Sequence, residues 1–144
     1  MGYEVVVSSV GARPTAVVRA KSSWADFPRA WKPMLDQVWE RLHAAGITRG
    51  CPNVMLYLDD IPHVEVGVLL SAPIPLGDPV VASELPGGRV ATTIHRGPYD
   101  RLGAAHEAIL SRGLPLAGPR WEIYGPHQEI PETQISYLLR ETAQ

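Results

Sequence analysis

The sequence has little of several things. It has one cysteine, Cys51, and one phenylalanine, Phe27. A single cysteine excludes an intrachain disulfide and a cysteine-based zinc site. There is no basic excess: 13 Lys+Arg stand against 15 Asp+Glu, with no Lys/Arg run. Electrostatic binding to nucleic acid therefore has no footprint. The most apolar window, 64–76, is about half the length a membrane span needs, and two prolines interrupt it. The first residues (Met1-Gly2-Tyr3-Glu4) lack the basic and apolar regions of a signal peptide. Together these features fit a reducing cytoplasm, with neither membrane nor nucleic acid as a direct partner.

What is present suits one folded domain over 1–144. The apolar share is 45% and the charged share 19%, ordinary for a globular protein. A chain this size buries roughly 70% of its unfolded surface. Four Trp and five Tyr make up nearly all the aromatics, so most carry a polar handle suited to contacting a ligand.

The period-2 and period-3.6 patterns then divide the chain. Residues 3–10 and 14–21 read as a strand pair or as one long strand with a break at Gly11-Ala12-Arg13. A helix is expected from Asp26-Phe27-Pro28, with Asp26 as N-cap and Gly46 as the stop. Its stripe is Trp31, Met34, Leu35, Val38, Trp39 and Leu42. Pro33 should kink this helix or mark its true start. Val54, Leu56 and Leu58 form one strand; Val64, Val66, Val68 and Leu70 form the next, each with one buried face. The second half follows the same order. Strands at 80–84 and 89–95 surround Leu85-Pro86-Gly87-Gly88. A helix at 99–112 carries Leu102, Ala105, Ala108 and Ile109. A strand at 121–124, a polar turn and a strand at 133–140 close the chain.

An internal repeat emerges from this order. Gly50-Cys51-Pro52-Asn53-Val54-Met55-Leu56-Tyr57 lies on Gly118-Pro119-Arg120-Trp121-Glu122-Ile123-Tyr124 with one gap, Pro52 meeting Pro119 and Tyr57 meeting Tyr124. The fold class expected is α+β: two strand-helix-strand-strand modules, about 1–74 and about 79–144, forming one antiparallel sheet with two helices on one face. Alternation puts Trp121, Ile123, Val54 and Leu56 on one face and Glu122, Tyr124, Met55 and Tyr57 on the other. If the first set packs under the helices, the second faces away, into a ligand cleft on the open side.

Three stretches now point to a family: Leu85-Pro86-Gly87-Gly88-Arg89-Val90-Ala91, His95-Arg96-Gly97-Pro98-Tyr99-Asp100, and the Gly118 to Tyr124 motif. They resemble the GyrI-like small-molecule-binding domains, which also serve as effector-binding domains of multidrug-sensing transcription regulators. The resemblance covers essentially the whole chain, the first half being more divergent. It implies the tandem fold, a ligand cleft, and a role for Glu122 in receiving lipophilic cations. The regulators carry a helix-turn-helix module; no residues are left over for one, so a stand-alone copy is expected. Relatives imply two further activities, hydrolysis of strained cyclopropanoid electrophiles and action on DNA gyrase.

The candidate site follows. Glu122 would be poorly solvated in an aromatic cleft, so its pKa should rise. Tyr124 and Tyr57 offer flat faces and hydroxyl donors. Met55 adapts to ligand shape. Trp24 would roof the cleft; Tyr99 reads first as a staple against the second helix and second as a residue reaching the cleft; Trp121 would join only if the strand twisted. Trp31 and Trp39 read as core. His43, His63, His95, His106 and His127 are read as lacking i,i+4 pairing with a nearby carboxylate, so no metal is expected, and no other cofactor is expected. No phosphate loop, nucleophile elbow or Cys–His arrangement is present. The expected function is sequestering or sensing of lipophilic, cationic or electrophilic compounds. The alternatives are a metal-free hydrolase, with Glu122 as base and Tyr124 as oxyanion donor, and a protein-binding modulator such as a gyrase inhibitor.

Overall fold

In the computed structural model, described over residues 2–125 and 130–141, one antiparallel sheet carries two helices. The elements in chain order are β1 (Val6–Val10), β2 (Arg13–Lys21), α1 (Phe27–Ala44), β3 (Asn53–Tyr57), β4 (His63–Leu69), β5 (Val81–Leu85), β6 (Gly88–Arg96), a 3-10 turn (Tyr99–Arg101), α2 (Leu102–Leu110), β7 (Leu116–Tyr124) and β8 (Glu132–Leu139). The strands lie in the order β1-β6-β8-β7-β3-β4-β2-β5. This is the expected α+β class. The polar turn expected before β8, with His127, falls partly at 126–129, outside the described residues. No helix among the described residues is long and apolar enough to cross a membrane.

The order of strands shows how the halves interlock. β1 and β2 do not pair with each other: β1 pairs with β6, and β2 pairs with β4 and β5. They are one long strand with a break, and each half lends its first strand to the other half's sheet. The crossing is tight. A Cβ on Gly87 would lie 2.7 Å from the Ala12 amide nitrogen, so only glycine fits.

The two halves meet along β3 and β7. Met55 stands opposite Glu122, Asn53 opposite Tyr124, and Tyr57 opposite Arg120. The sequence repeat equates Met55 with Glu122 and Tyr57 with Tyr124. Each β3 residue therefore faces the repeat partner of the residue equally far beyond Met55. That is the signature of a pseudo-twofold axis passing between Met55 and Glu122.

Both helices lie on the Met55/Glu122 face. Phe27, Met34, Val38 and Leu42 of α1 pack on Ala16, Val18, Met55, Tyr57, Val64, Val66 and Val68. Ala105 and Ile109 of α2 pack on Ala91, Ile135 and Tyr137. Val38, Leu42 and Ile109 are fully buried, each stabilising by about 1.5–3 kcal/mol. Trp121, Val54 and Leu56 form a separate cluster with Leu69, Leu85 and Val90 on the opposite face. The alternation therefore separates the two sets correctly but assigns the helices to the wrong one. Glu122, Tyr124, Met55 and Tyr57 face the helices, and a cleft beside them lies between α1 and α2 rather than on the far side. The reason is that β3 and β4 are buried on both faces. In a doubly covered strand, apolarity no longer tells which side the helices take.

Local details of α1 also depart from expectation. Asp26 occupies the N-cap position without a side-chain cap; instead the Ser23 hydroxyl accepts from the Asp26 amide at 3.1 Å. The helix begins at Phe27 and runs on through Pro33, which sits on an exposed surface. Proline has no N–H to give the Arg29 carbonyl one turn back, and Arg29 is itself exposed. Gly46 follows the helix at φ +82°, the left-handed stop that glycine permits.

Candidate functional site

The axis brings one charged side chain into the interior. Glu122 is 6% exposed. Its Oε1 accepts from the Tyr124 hydroxyl at 2.5 Å and from the Tyr57 hydroxyl at 3.2 Å. Its Oε2 lies 2.6 Å from His106 Nε2. A carboxylate only accepts, so Nε2 carries the hydrogen. In the neutral ring Nδ1 then accepts from the Tyr137 hydroxyl, at 2.7 Å.

Each partner has a structural reason for its place. Glu122 and Tyr124 lie two apart on β7 and so share a face. Tyr57 comes from the neighbouring β3, and Tyr137 from β8 on the other side. His106 reaches down from α2 beside Ala105, on the stripe that meets the sheet.

Three donors decide the electrostatics. Burial works against a charged Glu122, but the hydrogen bonds from His106 and Tyr124, the attraction of a protonated His106 and the hydrogen bond from Tyr57 outweigh it and hold the carboxyl below its usual 4.5. The upward shift expected from burial alone is thus reversed. Burial and the adjacent Glu122 charge push Tyr57 and Tyr124 up, and burial raises Tyr137. All three stay protonated around neutral pH. Among the described residues, the one ion-pair partner of Glu122 is His106.

Beside this network is a cavity of about 400 Å³, within the range of small-molecule sites. Met55, Tyr57, Glu122 and Tyr124 floor it; Phe27, Pro28, Trp31 and Leu35 of α1 wall one side; Tyr99 and Leu102 wall the other. Tyr99 meets Tyr124 edge-on with centroids 5.7 Å apart. Phe27 meets Tyr57 in the same manner, also at 5.7 Å.

Five of the seven residues singled out from the sequence come together here: Glu122, Tyr124, Tyr57, Met55 and Tyr99. Trp121 does not; it is buried in the cluster on the opposite face, because one step along a strand reverses the side chain. Trp24 does not line the cavity. It is half exposed, donates its indole N–H to the Asp60 carbonyl at 2.9 Å and packs behind Tyr57 at 5.7 Å. Arg120 stacks on the same two rings.

The sequence reading missed others. Trp31, read as core, is half-buried at the cavity wall with Phe27 and Leu35. His63 pairs with Asp59, four residues before it, at 2.6 Å, against the expectation of no such pairing, and His106 pairs with a carboxylate sixteen residues away. A signal for it existed: it lies four after Leu102 and three before Ile109, the one imidazole on the sheet-facing stripe of α2. Among the described residues no group of three His, Cys, Asp or Glu is arranged to hold a metal ion.

No protein-family model matches the chain, and no curated protein matches it in sequence. Solved structures do match. The C-terminal domain of EcmrR superposes with a TM-score of 0.77 at 18% identity, over 99% of this chain and 100% of that one. The fold is that of the GyrI-like domains. In EcmrR bound to DNA in a complex described as EcmrR-RPo, the match has a TM-score of 0.70 at 17% identity and covers 94% of this chain and 56% of that one. SAV2435, solved bound to tetraphenylphosphonium, gives 0.59 at 9% identity over 95% and 94% of the two chains. A structure described as a hydrolase from Listeria innocua gives 0.53 at 13% identity over 94% and 91%. At these identities the likeness is one of fold.

Proposed function

We propose that this chain is a small-molecule-binding domain that takes a lipophilic cation into the cavity between α1 and α2. The observation carrying the reading is the buried Glu122 carboxylate, kept ionised by three hydrogen bonds at the wall of an apolar, aromatic cavity. With His106 neutral, such a cavity holds a negative charge that its three hydrogen-bond donors soften and do not cancel. A bulky monocation supplies the missing charge, and the rings of Tyr57, Tyr124, Tyr99, Phe27 and Trp31 give it faces for cation–π contact. The fold neighbour solved with tetraphenylphosphonium supports the same ligand class.

The test is a titration of intrinsic fluorescence, with Trp31 as reporter, by tetraphenylphosphonium and by the neutral triphenylphosphine oxide. Glu122→Gln keeps the size and removes the charge. It should weaken the cation by tenfold or more, about 1.4 kcal/mol, and leave the neutral compound nearly unchanged. Equal loss for both, or no binding of either by the wild type, contradicts the reading.

A second reading, hydrolysis of a strained electrophile, is favoured by the Tyr124 hydroxyl 2.5 Å from Glu122 at the cavity wall and by the neighbour described as a hydrolase. A carboxylate with a lowered pKa and three donors is a weak base, which places this reading second. Product analysis decides: turnover lost in both Glu122→Gln and Tyr124→Phe supports the enzyme, and binding without turnover supports the sink.

A further inference from the structure

We infer that His106 sets the ligand charge the cavity accepts, by giving up a proton when a cation binds. This rests on the cation reading above. The geometry separates the two jobs. Glu122 faces the cavity with 8% of its side chain exposed; His106 lies behind it with 20% exposed, and is not among the cavity-lining residues. The imidazole thus touches both the carboxylate and solvent, through which it exchanges its proton.

Nε2 donates to Glu122 whether the ring is neutral or protonated. Only Nδ1 changes role, from acceptor to donor. Its partner is a tyrosine hydroxyl at 2.7 Å, which can donate or accept. The network therefore tolerates either state without moving. With a neutral ring the cavity wall carries one uncancelled negative charge. With a protonated ring the His106–Glu122 pair is neutral, and a cation gains little from entering.

The surrounding charges leave this role to His106. Arg120 on β7 is paired with Asp60 at 2.8 Å. Tyr57, Tyr124 and Tyr137 stay protonated. On β6, His95 is engaged by the Tyr3 hydroxyl and the Pro98 carbonyl, each at 2.8 Å. Glu107 on α2 and Asp100 and Arg101 on the preceding turn are exposed. An imidazole is the side chain that changes charge near neutrality.

Cation binding and His106 protonation are then antagonistic and reciprocally linked. The experiment is calorimetric titration with tetraphenylphosphonium and with triphenylphosphine oxide from about pH 5 to pH 8, in buffers of different ionisation enthalpy. The cation's affinity should rise with pH, by up to about tenfold per unit at the acid end, with release of up to one proton. The neutral compound should give a flat profile. His106→Gln retains an amide donor and should flatten the cation profile, leaving its high-pH affinity within a few-fold of wild type. Should that variant not fold, the His106 ring titration followed by NMR in the wild type serves alone: its midpoint should fall when the cation is added. A flat wild-type cation profile, a pH slope surviving in His106→Gln, or an unmoved midpoint overturns the inference while leaving the cavity reading intact. Absence of cation binding at every pH overturns both.

Discussion

The two halves of this domain are copies in topology and opposites in chemistry. Across the pseudo-twofold axis, Met55 of the first half stands against Glu122 of the second. The first half contributes an eighteen-residue helix whose start supplies apolar walls, Phe27, Trp31 and Leu35. The second contributes a nine-residue helix that supplies His106. Duplication yields a symmetric frame; the departures from symmetry at the axis yield a cavity with one charged side. A wholly symmetric version would be a greasy cleft with no charge preference, or a pair of facing carboxylates that could not both ionise.

The second of those alternatives can be built. Met55→Glu places a buried carboxyl directly opposite Glu122, since Met55 is 9% exposed. Burial and the like charge should raise the new group by about 3 units, a penalty of about 4 kcal/mol at pH 7. A group raised in the folded state contributes least at high pH, so the penalty should shrink as pH falls towards 4. Denaturant unfolding at the two pH values measures it; a variant as stable as wild type at pH 7 would mean the axis tolerates two charges.

The lowered pKa of Glu122 gives a prediction of opposite sign. Its contribution to stability is fully present above the usual value of 4.5 and is lost as pH falls through the lower folded value. The stability of wild type relative to Glu122→Gln should therefore decline as pH falls below about 4.5. The smallest effect concerns the support of that carboxylate. Tyr137→Phe removes the partner of His106 Nδ1 and should cost about 1 kcal/mol, with a smaller change in cation affinity than Glu122→Gln produces. If Tyr137→Phe weakened the cation as much as Glu122→Gln, the division between charge carrier and support would fail.

How much of this was legible in the sequence can be traced residue by residue. The repeat of Pro52 and Tyr57 on Pro119 and Tyr124 equated Met55 with Glu122, while the register that sets these two opposite each other on the axis belongs to the folded sheet. Alternation grouped Glu122, Tyr124, Tyr57 and Met55, because a strand turns each second side chain the same way. The side taken by the helices was not legible, because Trp121, Val54 and Leu56 are as apolar as the residues beneath α1. Both sets are buried. His106 was overlooked because its partner lies across a helix–sheet contact, where spacing along the chain carries no information. The α1 walls were hidden because Trp31 satisfies the core stripe and the cavity at once.

The claim that this cavity is the binding site is tested most directly by a crystal structure of the protein with tetraphenylphosphonium. The account predicts the cation seated between α1 and α2, its rings against Tyr57, Tyr124 and Trp31 and its charge facing Glu122. A cation found on the opposite face, beside Trp121, with the space over Glu122 left to water, would contradict it.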